Sequence, residues 1–201
     1  VPDDIVERAA AFAGLRLVEG MVDQLGRLAS WLVAEALPAG GIGPREAGAV
    51  SGRHVADSLV LARAWRDRAA PGRILDLGTG AGLPALPLAV THPASEVVAV
   101  DRAHRRVLLA RRGARVLGTT NVRVVEADFA RVEGTFEAVV ARAAAHPEDL
   151  LPHMRRLTAP GGVAVVAASR TGRVEAEGFA GIEVPAAVLD RPVWLLIMAP
   201  S

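Results

Sequence analysis

The stretch Arg73-Ile74-Leu75-Asp76-Leu77-Gly78-Thr79-Gly80-Ala81-Gly82-Leu83-Pro84 decides the architecture. A short apolar run, Arg73 to Leu77, reads as a strand that carries an acid near its end. Glycines at 78, 80 and 82 then turn the chain, because glycine reaches positive φ and lets backbone approach a ligand closely. Leu83-Pro84 marks the start of a helix, where proline is tolerated in the first turn and free N–H groups can hold a carboxylate or phosphate.

Downstream of this unit the pattern repeats. Val97–Val100, Val122–Val125, Phe136–Val140 and Val163–Ala167 are brief Val-rich runs bounded by Asp, Gly or Pro, as buried strands are. Helical stretches near 84–91, 103–117 and 147–158 separate them. Such alternation predicts crossover connections and a doubly wound α/β fold, with a mostly parallel sheet covered on both faces. Ile182 to Leu189 and Pro192 to Met198, on either side of Asp190-Arg191, are expected to add a closing antiparallel hairpin, giving seven strands in all.

Upstream, residues 1–70 show helical spacing and no convincing strand, so an N-terminal helical extension is expected before a main domain at 71–201. Leu17, Met21, Leu25, Leu28 and Leu32 form one apolar stripe. Leu37 to Pro44 breaks it with Gly and Pro, and a further helix is expected from Ser51 to Arg68. With 201 residues and 51% hydrophobic side chains, the chain can bury a sizeable core. It holds no Cys, which excludes a disulfide framework and thiolate metal sites. Neither a membrane-length apolar run nor a secretory leader is visible, so a cytoplasmic protein without metal or membrane partner is expected.

Three successive strand ends carry polar groups suited to a nucleoside. Asp76 lies near the end of the first and Asp101 ends the second, where a carboxylate can accept both ribose hydroxyls. Asp128-Phe129 follows the third, an acceptor for an adenine amino group beside an apolar ring. Gly80-Ala-Gly-Leu-Pro-Ala85 also fits the dinucleotide spacing G-x-G-x-x-G/A. A carboxylate two residues before the first glycine, however, would repel a pyrophosphate and attract the amino group of a methionine moiety. The cofactor expected is therefore S-adenosylmethionine, held by Asp76, Gly78, Thr79, Gly80, Gly82, Asp101 and Asp128.

Together with Arg53-His-Val-Ala-Asp-Ser-Leu59 and Ala141-Arg-Ala143, this turn resembles the RsmG family of 16S ribosomal RNA guanine-N7 methyltransferases, also called glucose-inhibited division protein B. The resemblance implies a class I methyltransferase (Rossmann-like) sheet, S-adenosylmethionine as cofactor, and ribosomal RNA or a small ribosomal subunit particle as partner. It places Gly78 and Leu83 at the methionine end of the cofactor, Phe129 and Ala130 at its adenine, and Arg142 at the basic residue closing the site. It also brings Arg53, His54 and Asp57 to the same cleft, on one side of a helix. Arg53, His54 and Arg142 are thus the expected catalytic residues. Four positions depart from the family pattern. The Asn-Leu-Thr segment before the Arg53 helix is absent, Ala85 replaces a Gly, and Ala141 replaces a Ser. A Lys near Ala168 is missing, leaving Arg170 as the nearest cation.

Guanine N7 already presents a lone pair, so its methylation needs no general base, and none is evident. Arg102, Arg105, Arg106, Arg111, Arg112 and Arg115 spread over the outer sides of one helix, where they could touch phosphates. An exposed, solvated Arg-rich helix is the plainer expectation for a chain without lysine. The residues leave open a methyltransferase of a small molecule or another RNA, and a non-catalytic binding protein on the same fold. They do not fix an oligomeric state.

Overall fold

The computed structural model describes residues 4–42, 51–142, 145–169 and 172–198. Pro44, Ala143 and Arg170, named above, lie outside the described residues. Seven strands form one sheet in the order β3-β2-β1-β4-β5-β7-β6. They are β1 (Arg73–Leu77), β2 (Glu96–Asp101), β3 (Val122–Glu126), β4 (Phe136–Arg142), β5 (Thr158–Ser169), β6 (Ala180–Val184) and β7 (Val193–Met198). All neighbouring pairs from β3 to β5 are parallel, while β7 runs antiparallel to both β5 and β6. Strand order reverses on either side of β1, which opens a crevice at the carboxyl ends of β1 and β4, the usual ligand position in such sheets.

Side-chain alternation along each strand divides the core in two. Ile74, Val97, Ala99, Ala138 and Val165 join one apolar cluster, and Leu75, Leu77, Val98, Val139 and Val166 join the other. On the second face lies α6 (Pro147–Leu157), whose Leu150, Met154 and Leu157 are fully buried. The first face is covered by α4 (Ala85–Thr91) and by the N-terminal helices α1 (Asp4–Ala13), α2 (Glu19–Trp31) and α3 (Ala56–Leu59). Leu28, Leu32 and Leu59 belong to the same apolar cluster as the sheet residues, so the core is continuous from the N-terminal helices into the sheet.

Two expectations are corrected. The region from Ser51 is not a uniform α-helix ending at Arg68: it winds as π-helix over Ser51–Val55, α-helix over Ala56–Leu59 and 3-10 helix over Val60–Trp65. Nor does a strand run from Ile182 to Leu189. The strand starts earlier and stops at Val184, and Pro185 precedes the short helix α7 (Ala186–Leu189), since proline has no N–H to donate to a ladder.

The helix α5 (His104–Leu117) buries Val107, Ala110, Ala114 and Leu117, and ends on Gly118 in the left-handed conformation at φ 67°. Its arginines serve partly as struts to the segment that follows α2. Arg105 donates to the Ala39 carbonyl at 2.5 Å, and Arg112 pairs with Glu35. A buried joint does the same work elsewhere: Trp65 Nε1 donates to His92 Nε2 at 3.0 Å, while His92 Nδ1 lies 3.0 Å from the Leu88 carbonyl. Those partners select the neutral tautomer with the proton on Nδ1, and burial pushes the His92 pKa down.

Candidate functional site

The glycine turn is stitched to the end of β2. Gly78 and Thr79 donate their N–H groups to the Val100 carbonyl at 2.8 and 2.9 Å, and Gly80 donates to Asp101 Oδ2 at 3.0 Å. Gly78, Gly80 and Gly82 all have positive φ, of 73°, 58° and 92°, a region disfavoured for residues with a Cβ. At Gly80 nothing lies within 4 Å of where a Cβ would stand, so the backbone is open to a ligand. At Gly82 a Cβ would meet Leu86 at 2.5 Å, so this glycine serves close packing.

Asp76 is fully buried. Its Oδ2 accepts the Ala85 N–H at 3.0 Å, so the first free donor of α4 is already taken inside the protein. Neither its Oδ1 nor the buried Thr79 Oγ1 has a partner at full hydrogen-bond geometry, although the Thr79 hydroxyl is near enough to favour the ionised carboxyl. Burial pushes the Asp76 carboxyl up to about 7, against the opposing pull of Thr79, the Ala85 N–H and the Arg142 charge. Asp101, at the end of β2, is 4% exposed. It accepts the Ala103 N–H on Oδ1 at 2.9 Å as well as that of Gly80 on Oδ2. Each oxygen keeps a second lone pair.

A cleft of about 470 Å³ opens in front of these strand ends. Gly78, Asp101, Asp128, Phe129 and Ala130 line it, bringing together five of the residues expected at a cofactor. Asp128 caps the 3-10 turn Phe129–Arg131 by accepting the Ala130 N–H at 2.9 Å. Asp76 in β1, Thr79, Gly80, Gly82 and Leu83 in the turn that follows, and Arg142 at the end of β4 do not line it. Arg106, Asp149 and His153 do line it, although sequence reasoning does not single them out as cleft residues. The available signal is the i, i+4 spacing of Asp149 and His153, which sets them on one side of α6.

Two of the expected catalytic residues, His54 and Arg142, are in direct contact. His54 and Asp57 are buried and Arg53 is half-buried. Arg142, at the end of β4, donates from one guanidinium nitrogen to His54 Nδ1 at 3.2 Å and to the His54 carbonyl at 3.4 Å. This joins the Arg53–Leu59 segment to the carboxyl end of β4, the strand paired with β1 and Asp76. Among the described residues, no three His, Asp or Glu side chains gather as a metal site, and no helix is long and apolar enough to cross a membrane.

The family model described as rRNA small subunit methyltransferase G, GidB, matches residues 22–179. The chain belongs to this family. A relative named Ribosomal RNA small subunit methyltransferase G from Geobacter metallireducens is 35% identical over 129 residues, covering 62% of the chain and 57% of the relative's length. A second of that name, from Roseiflexus castenholzii, is 30% identical over 220 aligned positions, covering 98% of the chain and 92% of the relative. Among solved structures, TrmN from Thermus thermophilus superimposes with a TM-score of 0.54 at 27% identity, over 72% of this chain and 49% of that one. The rRNA small subunit methyltransferase G family match spans both Arg53–Leu59 and every strand end that lines the cleft. The sheet is that of class I methyltransferases.

Proposed function

We propose that the protein is an S-adenosylmethionine-dependent methyltransferase that modifies N7 of a guanine in 16S ribosomal RNA, free or within the small ribosomal particle, in the cytoplasm. One observation carries this reading: a single family match, residues 22–179, contains all the residues that build the cleft.

The residues present suit the cofactor. Asp101 offers free lone pairs to two ribose hydroxyls, and Asp128, Phe129 and Ala130 offer a carboxylate, a ring and a backbone edge to an adenine. Behind the turn, the buried Asp76 Oδ1 and Thr79 Oγ1 lack partners at full hydrogen-bond geometry, and a buried acceptor without one is costly. An amino group at the methionine end supplies the missing donor. When bound, S-adenosylmethionine would supply an electrophilic sulfonium methyl group that a ring nitrogen can attack in line, with the thioether S-adenosylhomocysteine as leaving group.

The chain's own contribution is alignment. N7 of guanine already carries its lone pair, so no side chain has to remove a proton. Arg142 holds an anionic group, either the cofactor carboxylate or an RNA phosphate, and His54 fixes its direction through Nδ1 and the backbone carbonyl. Arg53, one residue before His54, supplies a second cation from the same helix. Arg102 and Arg106 at the cleft mouth extend the positive rim toward RNA, with an affinity that falls as salt rises. The test is incubation with labelled S-adenosylmethionine and either free 16S RNA or 30S particles. Label should enter at least one substrate; no incorporation into either would remove the proposed function.

A further inference from the structure

The floor of the cleft comes from three strand ends, but its outer wall is α6. The half-buried His153 lines that wall, with its ring edge-on to Phe129 at 5.1 Å between centroids and 69° between planes. One turn further, Arg156 reaches over the 3-10 turn that carries Phe129. It donates to the carbonyls of Val132 at 2.9 Å, Phe129 at 3.3 Å and Ala130 at 3.4 Å. A short helix leaves its last carbonyls without partners inside the helix, and a planar guanidinium can satisfy several at once where a lysine ammonium fits poorly. His153 and Arg156 stand three residues apart, so both face the same neighbour. Leu150, Met154 and Leu157 anchor their helix on the sheet from its other side.

We infer that His153 and Arg156 set the nucleoside end of the cleft: His153 packs against the adenine together with Phe129, and Arg156 positions the turn that presents Phe129 and Ala130. Arg156 does not itself touch the ligand and acts as a positioning residue. The inference rests on the cofactor reading above and adds to it the residues that recognise the base. Aromatic contact with a base is sequence-tolerant and contributes enough for its loss to be measured.

Calorimetric titration of the full chain with two probes, adenosine and S-adenosylhomocysteine, tests it. His153→Ala should weaken both probes by the same factor, about tenfold, because the lost contact is to the group they share. His153→Phe should restore most of the affinity. Arg156→Ala should weaken both probes, and Arg156→Lys should recover only part. Asp76→Asn, at the opposite end, should weaken S-adenosylhomocysteine and leave adenosine unchanged. A residue that only supported the fold would lose affinity together with Tm, whereas His153→Ala should weaken both probes with little change in Tm. If the native chain binds S-adenosylhomocysteine and His153→Ala binds both probes equally well, this assignment is overturned alone. If the native chain binds neither probe, the cofactor reading falls with it.

Discussion

Replacing Asp76 by Asn should change how stability depends on pH more than it changes the fold. In an unfolded chain this carboxyl titrates near 3.8, whereas in the folded protein burial raises it to about 7. Between those values the folded state keeps the proton and the unfolded state releases it. The native chain therefore loses stability as pH rises through this window, and the loss is complete above about 7. The separation corresponds to about 4 kcal/mol, at ~1.4 kcal/mol per tenfold change in proton affinity. An Asn at this position can still accept the Ala85 N–H and does not titrate. Urea denaturation of both proteins from pH 4 to 8 reads the difference directly. The variant should gain on the native chain by about 4 kcal/mol across the window and run parallel to it above. Saturation with S-adenosylhomocysteine should flatten the native curve, since its amino group favours the ionised carboxyl. A stability difference independent of pH would refute the assignment of a buried, partly unpartnered acid.

Other perturbations follow from individual contacts. His92 has its pKa lowered by burial, so the unfolded chain takes up a proton first, and stability should fall as pH drops below 6.5. His92→Gln keeps both hydrogen bonds without titrating, and should remove that acid-side slope in the same denaturation series. Gly82→Ala sets a Cβ against Leu86 at positive φ and should cost about 2–3 kcal/mol, read as a fall in Tm of roughly 5–10 °C for a chain of this size. An unchanged Tm would contradict the packing described at Gly82. For His54, Gln can accept the Arg142 donor equally well, so His54→Gln should lower the methylation rate modestly without shifting its pH profile. Loss of an ionisation near neutral pH would show that His54 transfers a proton. Arg142→Gln should lower kcat/KM by about tenfold or more, as loss of a charged hydrogen-bond donor does.

Much of the main sheet was legible because its elements are locally encoded. The first strand begins and ends at Arg73 and Leu77 as the sequence pattern predicts, and α5 turns outward the arginines expected on its outer sides. Asp101, Asp128 and Phe129 reach the cleft because strand ends converge in a parallel sheet whatever the loops do. What escaped sequence reasoning depends on contacts between distant segments. Nothing local shows that Asp76 spends one oxygen on the Ala85 N–H, or that Arg112 meets Glu35 on an N-terminal helix. His153 and Arg156 look like ordinary polar residues of an amphipathic helix until α6 is docked beside the Phe129 turn. The π and 3-10 windings between Ser51 and Trp65 are similarly invisible, because an apolar spacing of threes and fours suits all three windings and tertiary packing selects among them.

Nucleoside mass spectrometry of 16S RNA recovered after reaction with the protein and S-adenosylmethionine tests the central claim most directly. The account predicts one new N7-methylguanosine per RNA, formed by the native chain and lost or strongly reduced with Arg142→Gln. A methyl group on any other atom, or RNA left unmodified by a chain that binds S-adenosylhomocysteine, would contradict it.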